Sequence, residues 1–289
     1  MRQQGVLTSA AGLTPFGHVG WGYRDQSEFL TRAAEYIVDG LARNQRILYA
    51  RDGGRAALRT ELLDMGFGDA VRSGQIAVTP VDEHYVFVPG TDVVDPEATV
   101  AAGVAAMEYV VAMGCSGCRG VVDAAILARK PEQRAAFSRL EYLVDQKMAV
   151  LPFSALCAYN LTLLGETAKQ MVCLHPLVGR GTVSFRLYAQ LGMDFGLAGE
   201  IDAADSEAFI SALERIWPLA AGHEVIVDAR GLDFVTHREL VTLDEQAAAE
   251  GRKVVLVTDR CIVARLVQLL ELENVRVDVS EARPTVDAG

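Results

Sequence analysis

The chain has 289 residues with 38 acidic and 27 basic side chains, which gives a formal net charge of −11 and a length that predicts two domains. The excess of negative charge leaves no basic face for a phosphate backbone and disfavours an acidic lipid surface, so we expect neither direct nucleic-acid binding nor a membrane partner. Five cysteines, an odd number, argue against a secreted disulfide framework and, with no continuous apolar leader, predict a cytoplasmic protein.

Helices and apolar strands alternate along the first half of the chain. The stretch 25–41 has apolar residues at four-residue intervals, and Asp25 and Glu28 have the spacing of a capping box. Strands are predicted at "RILYA", "QIAVTPV", "RGVVDAAIL" and "AVLPFSALCAY", with further helices at 55–65, 96–113, 131–148 and in "GETAKQMVCL". Because these strands are apolar almost throughout, we predict a parallel sheet covered by helices on both faces.

The segment "PLVGRGTVS" separates this pattern from a second one, because glycine and proline cluster there and the pattern restarts. A strand pair follows, "SFRLYAQ" and "MDFGLAGEI", then a helix at 204–217 and three more strands that alternate with two helices. The sequence therefore predicts a flexible N-terminus at 1–14, a domain at 15–181, a compact α/β domain at 182–281 and a flexible tail at 282–289.

The second domain carries three segments of a recognisable order and spacing, "LAGEIDAADSEAF", "VIVDARGLDFVTHREL" and "GRKVVLVTDRCIVARLVQLLELENV". From about Phe185 to Val279 it resembles a STAS domain, the fold of bacterial anti-sigma factor antagonists. The resemblance implies an anti-sigma factor of the kinase type, or a related regulatory protein, as the partner. It also implies a partner-binding surface, for which the candidate residues are Asp202, Thr236, His237, Arg238 and Glu239.

The stretch "DFVTHREL" departs from the STAS pattern at the site of regulation. Relatives usually read like "DSSGL" there, and a kinase phosphorylates the first serine. Here Thr236 stands where the aspartate would be, and His237, which has no hydroxyl, where the serine would be. Thr236 and Glu239 instead have the spacing of a capping box, in which the threonine oxygen accepts the amide of Glu239 and the glutamate accepts the amide of Thr236. We therefore expect a helix start that is not coupled to the serine-kinase switch.

The first domain carries "HVGWGYRDQSEFLTRAAEYIVDGL", "LEYLVDQKMAVLPFSALCAYN" and "LHPLV", and from about 16 to 180 it is similar to the MEDS sensory domain of methanogen and methylotroph regulators. This similarity implies a RecA/KaiC-like α/β fold and a small-molecule ligand. The candidate ligand-binding residues, which match polar positions of that family, are His18, Tyr23, Asp123, Glu141, Tyr142, Cys157, Tyr159 and His175. A purely structural role is the alternative, with the tyrosines in the core, Glu141 capping a loop and His175 closing a helix.

The relationship to ATPases predicts a phosphate-binding loop that the sequence does not provide. "RDGGRAALRTEL" contains Gly53 and Gly54 but neither a lysine nor a hydroxyl at the metal position. Asp123 occupies a Walker-B-like place, and an acid alone does not bind nucleotide. We therefore expect no working P-loop, no cofactor and no ATP hydrolysis.

Cys115 and Cys118, in "CSGC", have the spacing of half a zinc site or of a redox pair. The remaining cysteines and histidines are not spaced as a second pair, and the motif closes a helix instead of opening one. Ordinary loop thiols and no metal are therefore expected, although both other readings stay open for this pair. No serine triad or "GxSxG" elbow is present.

These observations favour a non-enzymatic signalling and transcription-regulatory protein, in which a sensor domain is coupled to a protein-interaction domain. Two alternatives remain: a ligand- or nucleotide-dependent enzyme on the ATPase-like half, and a structural scaffold of a stress-signalling complex. A homodimer is compatible with each of the three.

Overall fold

Two β-sheets organise the computed structural model, which describes residues 3–13 and 15–279. In these residues the first sheet has seven strands, all parallel, and the second has five. The first sheet consists of β1 (Gly5–Leu7), β2 (His18–Tyr23), β3 (Arg46–Arg51), β4 (Ile76–Pro80), β5 (Cys118–Asp123), β6 (Phe153–Asn160) and β7 (Leu177–Gly179). Their order across the sheet is β1-β7-β2-β6-β5-β3-β4. The predicted parallel sheet is confirmed.

Helices connect these strands and cover both faces of the sheet. They are α1 (Gln26–Ala42), α2 (Arg55–Asp64), α3 (Gly68–Arg72), α4 (Val81–His84), α5 (Pro96–Ala112), α6 (Pro131–Met148), α7 (Leu161–Leu164) and α8 (Lys169–Val172). Parallel strands require such crossovers, since consecutive strands cannot be joined by a tight turn. Short 3₁₀ segments lie at Ala125–Ala128 and Gly165–Ala168.

The two faces of the first sheet bury different side chains, because successive residues of a strand point to opposite sides. One face, which we call the α1 face, packs against α1 and α2. It contains Val19, Trp21, Tyr49, Val121 and Leu156, which belong to one apolar cluster with Phe29 and Ile37. The opposite face, which we call the α6 face, packs against α5 and α6. It contains His18, Gly20, Gly120, Ala155 and Cys157. The side chains on the α1 face are mostly large and apolar, and those on the α6 face are small or polar.

The start of α1 confirms the predicted cap. Asp25 accepts the amide of Glu28 at 2.9 Å. The glutamate side chain accepts the amide of Arg24 at 3.0 Å, one residue before the partner expected of a capping box. Free amides of the first helical turn are thereby satisfied.

The second sheet is mixed, with β8 (Phe185–Ala189) antiparallel to β9 (Phe195–Ile201) and the remaining strands parallel. The other strands are β10 (Glu224–Val235), β11 (Lys253–Thr258) and β12 (Val275–Val279), in the order β12-β11-β10-β9-β8. Its helices are α9 (Ser206–Ile216), α10 (His237–Ala249) and α11 (Cys261–Leu269), with a 3₁₀ turn at Trp217–Leu219. β10 continues through "RGLDFV" with two register shifts, so it is longer than the predicted "EVIVDA".

Helix α6 lies between the two sheets. Phe137 and Leu140 of α6 belong to the same apolar cluster as Phe185 and Phe195 of the second sheet. The hydroxyl of Tyr142 donates to the carbonyl of Asp194 at 2.6 Å. The two predicted domains thus share a continuous hydrophobic core across their boundary.

Two local predictions differ from the structure. Gly5–Leu7, expected to be part of a flexible N-terminus, form β1 beside β7, and Glu35 accepts the amide of Ala10 at 2.8 Å. The single helix expected at "GETAKQMVCL" is instead the 3₁₀ turn at Gly165–Ala168 followed by the short α8. The tail predicted at 282–289 lies outside the described residues. No helix within the described ranges is both long and apolar enough to cross a membrane.

Candidate functional site

Four buried side chains from four different segments meet on the α6 face. We call His18, Glu141, Cys157 and His175 the buried cluster, and one donor atom of each lies within 4.8 Å of the donor atoms of the others. His18 and Cys157 come from adjacent strands, Glu141 from α6 and His175 from the turn after α8. All four were predicted as ligand-binding candidates, and the structure brings them together.

The alternate glycines of β2 make room for the buried cluster. A Cβ atom at Gly20 would lie 2.7 Å from Nδ1 of His175 and 2.8 Å from the carbonyl oxygen of Val172. Real Cβ atoms do not approach other atoms so closely, so glycine at this position is what admits the imidazole of His175 to the sheet surface.

Each imidazole of the buried cluster is held by a hydrogen bond at Nδ1. Nδ1 of His18 lies 2.9 Å from Oδ1 of Asp145, and Nδ1 of His175 lies 3.2 Å from the carbonyl oxygen of Val172. Since a carbonyl oxygen only accepts, Nδ1 of His175 carries a proton and its Nε2 presents a lone pair when the ring is neutral. That Nε2 is buried and has no hydrogen-bond partner among the described residues.

The remaining contacts of the buried cluster centre on Glu141. Its Oε2 lies 3.1 Å from Nε2 of His18 and 3.8 Å from Sγ of Cys157, while its Oε1 accepts a hydrogen bond from the hydroxyl of Tyr159. Tyr159, also a predicted candidate, is therefore a neighbour that orients Glu141.

The environment sets the charge of each member. Burial opposes charge on His18, yet Cys157, Asp145 and Glu141 raise its pKa well above the usual value. Burial opposes charge on Glu141 too, but the two histidines lower its pKa. Burial and the charge on His18 lower the pKa of His175 to about 4, and burial with the charge of Glu141 raises the pKa of Cys157 to about 12. These shifts favour a charged His18 between the carboxylates of Asp145 and Glu141, and an uncharged imidazole at His175 and thiol at Cys157.

A pocket of about 290 Å³ opens beside the buried cluster, between the α6 face and helices α5 and α6. Glu141 and Cys157 of the buried cluster line it together with His84, Tyr85 and Thr99, and small residues such as Gly103, Gly120 and Ala155 leave the space. Most of the remaining wall is apolar, which includes Phe137 and Leu140 of α6. The pocket therefore suits a small molecule with an apolar body.

Three of the predicted ligand-binding residues lie elsewhere. The hydroxyl of Tyr23 donates to Asp123 at 2.7 Å on the α1 face, where Arg51 lies 3.7 Å from the same carboxylate. Tyr142 contacts the second sheet, with its ring centroid 5.5 Å from that of Phe195. The sheet separates Tyr23 and Asp123 from the buried cluster, and Tyr142 points from another side of α6.

The partner-binding candidates of the second domain lie near the surface with one exception. Asp202, His237 and Arg238 are exposed and Thr236 is half-buried, whereas Glu239 is fully buried. Thr236 caps α10 as predicted, but it accepts the amide of Arg238 at 3.3 Å, and the side chain of Glu239 accepts its hydroxyl instead of a backbone amide. Glu239 thus orients the cap. Because its side chain is buried, it makes internal contacts and not the partner contact that the sequence predicted.

Cys115 and Cys118 stay apart from the other donor side chains. Cys118 is buried at the start of β5, where burial raises its pKa to about 12, and Cys115 follows the end of α5. Neither belongs to the buried cluster, which is the group of metal-binding residue types that converges in the described part of the chain.

Sequence reasoning did not find two residues that shape the site. Asp145 holds His18, and it follows Glu141 by four positions, a spacing that places both acids on one face of α6. Gly20 follows His18 by two positions, so both lie on one face of β2. Both spacings were visible in the sequence.

Comparison with known proteins identifies a family and distantly similar solved structures. A family model described as "MEthanogen/methylotroph, DcmR Sensory domain" (MEDS) matches residues 17–176, more than half of the chain. No curated protein matches. Among solved structures, the flagellar accessory protein FlaH from Methanocaldococcus jannaschii aligns over 64% of this chain and 78% of its own, at 12% identity and a TM-score of 0.38.

Proposed function

The chain belongs to the MEDS family, and we propose that it is a non-enzymatic signalling protein whose first domain senses a small, largely apolar molecule. The second domain would carry the binding state to a regulatory protein. The observation that supports this most directly is the largely apolar pocket that Glu141 and Cys157 help to line.

The size of the pocket supports a small ligand. Drug-sized molecules occupy pockets of roughly 300–1,000 Å³, and an apolar cavity of about 150 Å³ holds benzene. The pocket here, at about 290 Å³, matches a molecule of one ring or a short chain. A single polar group on that molecule would meet Glu141 or Cys157, which line the pocket.

Helix α6 supports a route from the pocket to the second domain. Asp145, one turn from Glu141, contacts His18 through Oδ1, and its Oδ2 accepts the amide of Ala189 in β8 at 3.0 Å. Tyr142 of the same helix binds the carbonyl of Asp194, whose carboxylate accepts the amide of Ile226 in β10 at 2.8 Å. A ligand that favours one position of α6 would therefore bias the second sheet, by as much as its affinity differs between the two arrangements.

The segments beside the strand ends favour a sensor over a nucleotide-dependent enzyme. Only Arg24 and Asp25 lie between β2 and α1, and the carboxylates of Asp25 and Glu28 accept amides at this helix start. Between β3 and α2 lie Asp52, Gly53 and Gly54, with no lysine. Carboxylates repel phosphate, and a phosphate loop needs a cation, so the absence of a working P-loop remains part of the proposal.

The surface near the start of α10 supports a protein partner for the second domain. Phe234 and Ile262 are exposed apolar side chains that line one shallow groove, and the exposed His237 and Arg238 follow in the chain. With the resemblance to STAS domains, this favours an anti-sigma factor kinase or a related regulator in the cytoplasm. Because His237 offers no hydroxyl, control would come from the first domain.

Binding of fluorobenzene, followed by ¹⁹F NMR, tests the sensor proposal. The wild-type chain should bind fluorobenzene and 4-fluorophenol saturably, and fluoroacetate should not bind, because its charge would be buried among apolar walls. Ala106→Leu, which fills the pocket from α5, should weaken binding at least about tenfold. Ala105→Leu is the matched control, since Ala105 lines the groove on the other side of α5.

Two outcomes would contradict the proposal. One is an absence of saturable binding by both aromatic probes, and the other is an equal loss in the Ala105 and Ala106 variants. Saturable binding of ATP with magnesium would favour the enzyme alternative, and partner binding that fluorobenzene leaves unchanged would favour the scaffold.

A further inference from the structure

The buried cluster is costly to bury unless something holds it together. An imidazole nitrogen without a partner, a carboxylate and a thiol lie side by side away from water. Burying a polar group without a hydrogen bond costs about 1–3 kcal/mol by mutational measurements. The ion pair of His18 with Glu141 satisfies part of the group but leaves Nε2 of His175 unpaired at 3.6 Å from Oε2 of Glu141.

Four of the six separations within the buried cluster lie close to the edges of a coordination tetrahedron, and the other two are within 4.8 Å. Metal bonds of about 2.0 Å to nitrogen and oxygen and about 2.3 Å to sulfur give edges of roughly 3.3–3.6 Å. Oε2 of Glu141 lies 3.1 Å and 3.6 Å from Nε2 of the two histidines. Sγ of Cys157 lies 3.5 Å from Nε2 of His18 and 3.8 Å from the same carboxylate oxygen.

Each ligand is also supported from behind, as metal ligands are. Asp145 and the carbonyl of Val172 hold Nδ1 of the two histidines, which directs both Nε2 atoms into the buried cluster. Tyr159 holds the carboxylate oxygen of Glu141 that points away from the other donors. A carboxylate or carbonyl behind an imidazole is the usual outer shell of a metal site.

We propose that the buried cluster binds one divalent metal ion of the zinc type. Two imidazoles, one thiolate and one carboxylate suit zinc, and the nitrogen and sulfur donors disfavour magnesium and calcium. The negative charges of Cys157 and Glu141 equal the charge of the ion, and the buried carboxylate of Asp145 adds one further negative charge behind His18. Binding releases the thiol proton of Cys157 and the Nε2 proton of His18 to solvent. This inference stands on the positions of the four side chains and not on the proposed ligand of the pocket.

Metal binding to the full chain tests this site, with the protein purified without a metal-chelating tag. We expect close to one zinc per chain by mass spectrometry and, after exchange for Co²⁺, the intense visible bands of a tetrahedral ion with a thiolate-to-cobalt charge-transfer band. Cys157→Ser should abolish that band and weaken binding at least about tenfold. Cys173→Ser is the matched control, because Cys173 is also buried but lies outside the cluster.

Three results would overturn the proposal: a wild-type chain that neither retains zinc nor binds Co²⁺, a cobalt spectrum without the thiolate band, and equal binding by the Cys157 and Cys173 variants. If Cys157→Ser does not fold, X-ray absorption of the zinc-loaded wild type decides instead. One sulfur and three nitrogen or oxygen neighbours would support the site, and any other shell would overturn it. Fluorobenzene binding is measured separately, so failure of the metal site is distinguishable from failure of the sensor proposal.

Discussion

The α1 face and the α6 face of the first sheet are built from the same strands but carry different kinds of side chain. On β6 the α1 face has Leu156 and Ala158, whereas the α6 face has Ala155, Cys157 and Tyr159. On β2 the α1 face has Val19 and Trp21 where the α6 face has His18 and Gly20. Large apolar side chains fill one face, and small or polar ones leave a pocket and a donor cluster on the other.

This difference indicates how one β-sheet contributes both to stability, through one face, and to binding, through the other. Close packing of large side chains supplies most of the folding free energy, since apolar burial dominates it. A face that holds a pocket and buried polar groups contributes less, because unfilled space and desolvated donors are unfavourable. We therefore expect substitutions of large side chains on the α1 face to cost more stability than substitutions on the α6 face, where binding should change as well.

The largest effect is expected from Phe29→Ala on α1. Phe29 is buried between Tyr23 and Tyr49, with ring centroids at 5.4 Å and 6.4 Å, and Arg51 lies over its ring. Removing a buried phenyl ring should lower the free energy of unfolding by about 3–5 kcal/mol. Val38→Ala, on the exposed side of the same helix, should change it by less than about 0.5 kcal/mol. Denaturant unfolding of both variants measures this, and a loss below 1 kcal/mol at Phe29 would remove the distinction between the faces.

An intermediate effect is expected from the same substitution at two glycines of the α6 face. Gly20→Ala would place Cβ 2.7 Å from His175, so the imidazole must move, and we expect a loss of roughly 1–3 kcal/mol. Gly120→Ala would meet only ordinary contacts, the nearest being Cβ of Ala155 at 3.5 Å, and should cost less than about 1 kcal/mol. Denaturant unfolding again provides the comparison. Equal losses would show that Gly20 is not there to admit His175.

Much of the fold could be predicted because its signals are local. The capping residue Asp25, the apolar rhythm of α1 and the continuous apolar strands depend on neighbours in the chain. The misplaced elements depend on the surroundings instead. β1 exists because it pairs with β7. α7 ends at Gly165, the first residue of "GETAKQMVCL", which has a positive φ of 57°, and a 3₁₀ turn separates it from α8.

The buried cluster could be predicted only in part, since its members lie far apart in the sequence. The family resemblance selected all four residues, but a search for paired ligand spacings could not join His18, Cys157 and His175. They meet because β2 lies between β6 and β7, an order that no local pattern specifies. Glu141 and Tyr142 illustrate the limit further: adjacent on α6, they point about 100° apart, one toward the cluster and one toward the second sheet.

The smallest effect is expected from Gly103→Ala on α5, and its sign is informative. A Cβ atom at Gly103 meets nothing within 4 Å, so the substitution gains helix propensity without a clash and should stabilise the chain by roughly 0.5–1 kcal/mol. Gly40 is the matched position on α1, where a Cβ atom would lie 2.5 Å from Cδ1 of Ile47 and 2.9 Å from Cδ of Arg119, both buried. At Gly40 the gain in helix propensity is opposed by the displacement of these packed atoms. The Gly40→Ala variant should therefore be at least about 1 kcal/mol less stable than the Gly103→Ala variant. Thermal and denaturant unfolding of the two variants measure the difference. If Gly103→Ala destabilises the chain as much as Gly40→Ala does, the α6 face is as tightly packed as the α1 face, and the pocket beneath α5 is not available to a ligand.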